Sequence, residues 1–234
     1  MKIINSFANS VIPPPVITID GPSGSGKSTV RALLAEKLGW YSLDSGLVYR
    51  ALALVVVENR LSLEDVESIV HKIAELDLRL ANVSESDRIF VKGRDVSGII
   101  RQEVYGDIAS RIAVIPEVRA GLIQCQRDQR IMPGLVADGR DMGSTIFPDA
   151  ILKIFLTANS EARSKRRLSQ LRSMGVEGNF EDISVSLEER DKRDVNRLVS
   201  PLDIPKNAIV IDSTNLTPEE IVGDMFAYMN YKSV

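Results

Sequence analysis

The stretch Ile17–Thr29, ITIDGPSGSGKST, constrains this chain more than any other. Gly21, Gly26, Lys27 and Ser28 stand at the spacing G-x-x-x-x-G-K-[ST], after an apolar run that reads as a buried strand and before helix-forming residues. Glycines let a backbone turn tightly, so that successive N–H groups converge on phosphate oxygens while the following helix adds its positive end. Lys27 then reaches the outer phosphates as a mobile point charge, and the Ser28 hydroxyl is placed to ligate Mg²⁺. A Gly-rich turn with a chance lysine would need the strand and the helix to be coincidences as well.

Such a loop belongs to an α/β fold, and the rest of the chain reads that way. Short apolar runs at Val16–Asp20, Trp40–Asp44, Leu135–Ala137, Ile151–Leu156 and Ala208–Ile211 predict five buried strands of a parallel sheet with helices on both faces. Helical patterns fall between them, over Lys27–Leu38, Leu47–Glu58, Glu117–Arg130, Ser160–Met174 and Asp182–Asp194. A last helix starts clearly, with Thr217 as N-cap, Pro218 at N1 and Glu220 closing a capping box. Between Leu78 and Val96 the alternation breaks. LRLANV, a polar turn at Ser84–Asp87, RIFV, Lys92-Gly93 and RDV read as a small antiparallel insert on one edge.

At 234 residues and 44% hydrophobic content the chain can bury one sizeable core, from residue 16 to 234, behind a loose 1–15 extension ended by three prolines. A net charge of −3 argues against a nucleic-acid partner and requires any attraction for an anion to be local. No run of apolar residues is long enough for a membrane span. The single cysteine, Cys125, suits a reducing, cytoplasmic setting, and the single histidine, His71, sits in the amphipathic segment Ser62–Glu75, away from any other chemical signal.

In open α/β sheets ligands bind at the carboxyl ends of the strands. After the second strand come Ser45, Tyr49 and Arg50, and after the third Asp138, Arg140 and Asp141. Beyond the fourth, Arg163, Arg166 and Arg167 recur at i, i+3, i+4, and Arg190, Asp194 and Arg197 recur at i, i+4, i+7 on what reads as one helix face. Either cluster alone could be a solvated face, with Glu188–Lys192 and Glu189–Arg193 as exposed pairs. The phosphate loop is what gives the arginines weight. Two negative charges about 4 Å apart repel by roughly 4 kcal/mol at an effective dielectric near 20, and arginine supplies planar, permanently charged donors that offset this.

GPSGSGKST, LDSGLVYRALAL, DVSGIIR at Asp95–Arg101, ADGRDMG with the following FPDA, and RDKRDVNR together resemble the bacterial cytidylate kinases, over nearly the whole chain from Val16. The resemblance implies transfer of the ATP γ-phosphate to CMP or dCMP with Mg²⁺, in a monomeric P-loop nucleoside monophosphate kinase fold. It makes Gly21, Pro22, Ser23, Gly24, Ser25, Gly26, Lys27, Ser28 and Thr29 the ATP site, 47–113 the monophosphate-binding region with its insert at about 78–96, and 162–173 an arginine-rich lid. It implies that Lys27, Arg140, Arg163 and Arg167 act on the transferring group, and that Arg50, Arg140 and Arg197 hold the acceptor phosphate. Ser110, Arg119 and Asp141 would surround the base beside Ser45 and Tyr49, and Arg190 and Asp194 would reach the ribose. Asp138 would hold Mg²⁺ through water or serve as a structural carboxylate. The base assignment implied by the resemblance agrees with chemistry: cytosine offers an amine at C4 and an acceptor at N3, which suit Asp141 and Arg119, and uracil reverses both. A GTPase switch would need an N-K-x-D motif, which is absent. Kinases of uridylate, adenylate or another metabolite remain the alternative.

Overall fold

The computed structural model describes residues 13–74, 76, 79–80, 88–173 and 175–232. Most of the N-terminal extension, the turn at Ser84–Asp87, Leu78 and Met174 lie outside them.

A parallel sheet runs in the order β2 (Tyr41–Asp44), β6 (Leu135–Gly139), β1 (Val16–Asp20), β7 (Leu152–Thr157), β8 (Ile209–Asp212). All five expected strands are present, but they are not equally buried. β1 and β6 are buried at every residue, whereas β2 and β8 form the edges, and Val210 is about half exposed. An apolar run therefore identified these edge strands without implying cover on both faces.

Alternation along the strands divides the core in two. Val16, Leu43, Leu135 and Ala137 pack under α2 (Ser45–Glu58), α3 (Val66–Ile73) and α5 (Pro116–Arg127). Ile17, Ile19, Val136, Ile154 and Leu156 pack against α1 (Lys27–Leu38) and α8 (Pro218–Lys232). The capping box of α8 is formed: the Thr217 N–H donates to Glu220 Oε2 at 2.8 Å and the Glu220 N–H to Thr217 Oγ1 at 3.2 Å.

The insert is a three-stranded antiparallel sheet of β3 (Arg79–Leu80), β4 (Ile89–Val91) and β5 (Arg94–Asp95), whose Ile89 and Val91 pack with Leu54 and Val55 of α2. Several boundaries differ from expectation. Asp44 caps α2 by accepting the Leu47 N–H at 3.3 Å, so that helix begins at Ser45 rather than Leu47. Asp65 caps α3 by accepting the Ser68 N–H, and His71 is exposed on that helix. Pro116 at the first turn starts α5 one residue early, and it ends at Arg127. Asn179 caps α7 (Phe180–Asn196), which leaves Arg197 in extended conformation one residue past the helix. The expected i, i+4, i+7 face therefore ends at Asp194. α4 (Glu103–Ile112) and a π-helical turn at Met142–Ile146 were not anticipated, while α6 (Ser160–Ser173) lies where expected.

Candidate active site

The loop between β1 and α1 opens at the carboxyl end of the sheet, beside the central strand about which the order reverses. Gly21, with φ 148°, turns the chain against β7, where a Cβ would lie 2.0 Å from the Leu156 carbonyl oxygen. No other residue type fits there. The Lys27 Nζ donates to the Pro22 carbonyl at 2.6 Å and lies 3.4 Å from Ser25 Oγ. Burial, reinforced by Arg140, pushes its amine well below the usual lysine range, against the pull of Asp138, Asp44 and Asp191.

At the start of α1 the Ser28 hydroxyl lies 3.3 Å from carboxylate oxygens of both Asp44 and Asp138. Sheet register puts these two aspartates side by side at the ends of β2 and β6. Burial raises the Asp138 carboxyl and Asp44 adds to this, while Arg31, 2.6 Å away, and Lys27 oppose it. Three convergent oxygen groups beside a phosphate loop fit a hard divalent cation. Among the described residues no cluster of three or more His, Cys, Asp or Glu forms a complete cage, so such an ion would keep water and phosphate oxygens as its other ligands.

A cavity of about 710 Å³ runs from the loop across the cleft. Besides residues 23–29, Asp44 and Asp138, its lining includes Arg50, Arg101, Arg140, Arg166, Arg167 and Arg190. These cations disfavour one another. Arg190 is pulled down to about 10 by burial and by Arg140 and Arg50, and Arg167 to about 10 by burial and by Arg190 and Arg50. A buried cluster of like charges is stabilised by an anion placed among them, so the local attraction that the net charge demanded is here.

The individual arginines are tethered differently. Arg140 crosses the cleft, with Nε 2.6 Å from Asp194 and Nη2 donating to Ser23 Oγ at 2.7 Å. Arg50 donates to the carbonyls of Ile100 and Gln102 at 2.8 and 2.9 Å. Arg163 is outside the cavity lining; it pairs with Asp191 and donates to the Ser23 carbonyl at 3.1 Å. Arg166 instead faces the loop, donating to Ser25 O at 3.3 Å and Ser213 Oγ at 2.9 Å. Arg167 pairs with Glu103 of α4.

Of the residues expected around a base, Arg119, Asp141 and Tyr49 form a second, buried cluster. Arg119 on α5 pairs with Asp141 and sits 5.8 Å over the Tyr49 ring. Arg197 lies 3.9 Å from Asp141 and 3.7 Å from Asp194, joining this cluster to Arg140. Burial pushes the Tyr49 hydroxyl up to about 12, so it stays protonated. Ser45 is buried at the start of α2, and Ser110 is half-buried on α4. Inside the cluster Arg119 Nε is buried and has no hydrogen-bond partner among the described residues.

The family profile described as cytidylate kinase matches residues 17–231. The chain belongs to the cytidylate kinase family. Among its cytidylate kinase relatives, that of Aeromonas salmonicida is 48% identical over 214 residues, covering 92% of this chain and 93% of the relative. That of Marinomonas sp. is 50% identical over 214 residues, covering 91% and 94%, and that of Photobacterium profundum 46% over 215 residues, covering 92% and 94%. Membership of the cytidylate kinase family makes the chain a phosphotransferase. Within its site, sequence reading did not assign Arg31, Asp20, Asp44, Asp191 or Ser213. Asp20 and Asp44 were the most accessible of these, because each closes an apolar strand much as Asp138 does. Asp191, whose Oδ1 accepts the Ser23 N–H at 3.1 Å, gave no local signal.

Proposed function

We propose that the protein transfers the γ-phosphoryl group of ATP to CMP and dCMP, giving ADP with CDP or dCDP, as a cytoplasmic monomer acting on small molecules rather than on nucleic acid or membranes. The observation that carries this reading is the set of mutually repelling guanidiniums that faces the phosphate loop and is backed by the Arg119–Asp141 pair.

In this reading residues 21–29 hold the ATP phosphates, and Lys27 follows charge onto the β–γ bridge. An oxygen of the acceptor phosphate attacks the γ-phosphorus while the bond to the β–γ bridging oxygen breaks in line. The transfer itself requires no proton. Arg140 spans both sides, touching Ser23 of the loop and Asp194 of the acceptor side, so it can track the group between them. Arg50, Arg140 and Arg197 hold the acceptor phosphate, with Arg190 adjacent; Arg163 and Arg167 of α6 complete the positive field. Positioning and electrostatics carry nearly all of such a reaction. Ser28, with Asp138 and Asp44, would hold Mg²⁺, which when bound neutralises phosphate charge and orients the outer oxygens.

At the base, Asp141 accepts from the C4 amine while Arg119, with its unsatisfied Nε, donates to the ring. Arg190 and Asp194 reach the ribose. The monophosphate region, 47–113, and the α6 lid, 162–173, close over the sheet and exclude water, which would otherwise consume ATP. ADP release measured with CMP, dCMP, UMP and AMP as separate acceptors tests the reading. Turnover with CMP and dCMP well above UMP and AMP is expected, and ATP binding without acceptor-dependent release would refute it.

A further inference from the structure

Asp20, the last residue of β1, is fully buried and immediately precedes the phosphate loop, yet both of its carboxylate oxygens are taken up by the turn after β6. Its Oδ1 accepts the N–H of Met142 and its Oδ2 the N–H of Gly143, each at 2.8 Å. These are the two residues directly after Asp141. The Asp141 backbone, with φ −144° and ψ 24°, leaves β6 into the π-helical turn, where its carbonyl accepts from Thr145 at 2.9 Å and Ile146 at 3.2 Å. Helix-type bonds thus fix the carbonyl side of the turn, and the two leading N–H groups are left to Asp20. Gly143 permits the approach, since a Cβ there would lie 2.8 Å from Thr18 Oγ1 and 3.2 Å from Pro205.

We propose that Asp20 is a positioning residue for the acceptor: by taking the Met142 and Gly143 N–H groups with its two carboxylate oxygens, it sets the backbone that aims Asp141 at the base and Arg140 across the cleft. A carboxylate suits this task because both of its oxygens accept. An asparagine would turn an NH₂ toward one of the two N–H groups, losing one bond and setting donor against donor. The turn would then be free to rotate, and Asp141 with it. Because Asp20 adjoins Gly21, the same residue ties the donor loop and the acceptor reader to one strand end. The proposal rests on the reading of Asp141 as the group that recognises cytosine.

The test is steady-state kinetics of the full-length Asp20→Asn protein with CMP and UMP at saturating ATP, and with ATP varied at saturating CMP. Loss of one buried, charge-assisted bond predicts KM for CMP raised about tenfold and the CMP/UMP ratio of kcat/KM lowered about tenfold, with KM for ATP within about twofold of wild type. An unchanged CMP/UMP ratio beside a CMP-preferring wild type overturns the role of Asp20 alone, and so does an equal rise in both KM values. A wild type without preference for CMP overturns the reading of Asp141 and this proposal with it. If the variant does not fold, amide hydrogen exchange in the wild type decides: Met142 and Gly143 are expected to exchange as slowly as the β1 amides, and exchange at the rate of exposed loops would overturn the proposal.

Discussion

The two sides of the candidate site, proposed above as its donor and acceptor halves, are built on opposite plans. The donor half is one contiguous loop whose shape comes from main-chain conformation, with Gly21, Gly24 and Gly26 all at positive φ, and it contributes a single cationic side chain, Lys27. The acceptor half is assembled from side chains on α2, α5, α6, α7 and the turn after β6, held in register by ion pairs such as Arg140–Asp194 and Arg119–Asp141. A main-chain cradle recognises phosphate and is indifferent to what the phosphate is attached to. Selectivity for one monophosphate needs directional side chains, and burying them forces each charge to find a partner.

The comparison is broken most directly at the one side chain that the donor half depends on. Lys27→Ala should lower kcat by at least about a hundredfold, roughly 3 kcal/mol, as expected for one preorganised electrostatic donor. The fold should survive, because the loop is held by its backbone. Full turnover by a folded Lys27→Ala protein would mean that the cradle alone suffices.

A pH titration of stability sharpens the contrast from the acceptor side. Burial is the main reason the Asp20 carboxyl rises from 3.8 to about 6; the Asp141 charge adds to this, and the Met142 and Gly143 N–H groups and Lys27 oppose it. Because the folded value lies above the unfolded one, the stabilising contribution is complete below about pH 3.8 and is lost as pH rises through about 6. The wild type should therefore lose up to about 3 kcal/mol relative to Asp20→Asn between pH 4 and pH 7, read from urea unfolding at each pH. A difference that does not change with pH would mean that the Asp20 carboxyl titrates alike in the folded and unfolded protein, so that burial does not raise it. Holding that turn with a buried carboxylate is thus costly to stability at neutral pH, as burying the Lys27 amine is for the donor loop, so both halves carry one strained charge.

Selectivity is the third lever. Asp141→Asn keeps the volume but exchanges one of two acceptor oxygens for an NH₂ donor at the position proposed to face the C4 substituent, and should lower the CMP/UMP ratio of kcat/KM by about tenfold or more. Parallel kinetics on the two acceptors measure it. A ratio equal to wild type would move base recognition elsewhere.

The same contrast explains what could be read in the sequence. The donor loop was legible residue by residue because its determinants are adjacent: strand, glycines, lysine and helix in one stretch. Thr217 and Glu220 were legible for the same reason. The π-helical turn at Met142–Ile146 was not, because the carboxylate that organises it is on β1, far off in sequence. α4 was missed since EVYGDIASRI carries Gly106 and β-branched residues that lower helix propensity, and its packing on α2 overrides them. Spacing placed Arg163, Arg166 and Arg167 on one helix but could not say that Arg166 would face the loop, Arg163 would pair with Asp191 and Arg167 with Glu103. Helical periodicity fixes which side chains are neighbours, and tertiary packing decides what each of them meets.

The smallest effect is expected where two acceptor-side elements meet at the surface. Glu103 of α4, about half exposed, pairs with Arg167 of α6, and nearby Asp107 lies 3.8 Å from Arg193 of α7. One contact ties α4 to α6 and the other ties α4 to α7. Exposed pairs are worth about 0–1 kcal/mol and weaken with salt. Glu103→Gln should therefore shift stability by less than about 0.5 kcal/mol. By releasing the Arg167 guanidinium to the cavity it should lower KM for CMP by no more than about twofold, the two proteins converging in high salt. Urea unfolding and CMP kinetics at low and high ionic strength make the measurement. A tenfold loss of activity would show that the acceptor half works as a braced unit rather than as side chains positioned one by one, and the contrast with the donor loop would have to be redrawn around the α4–α6 contact.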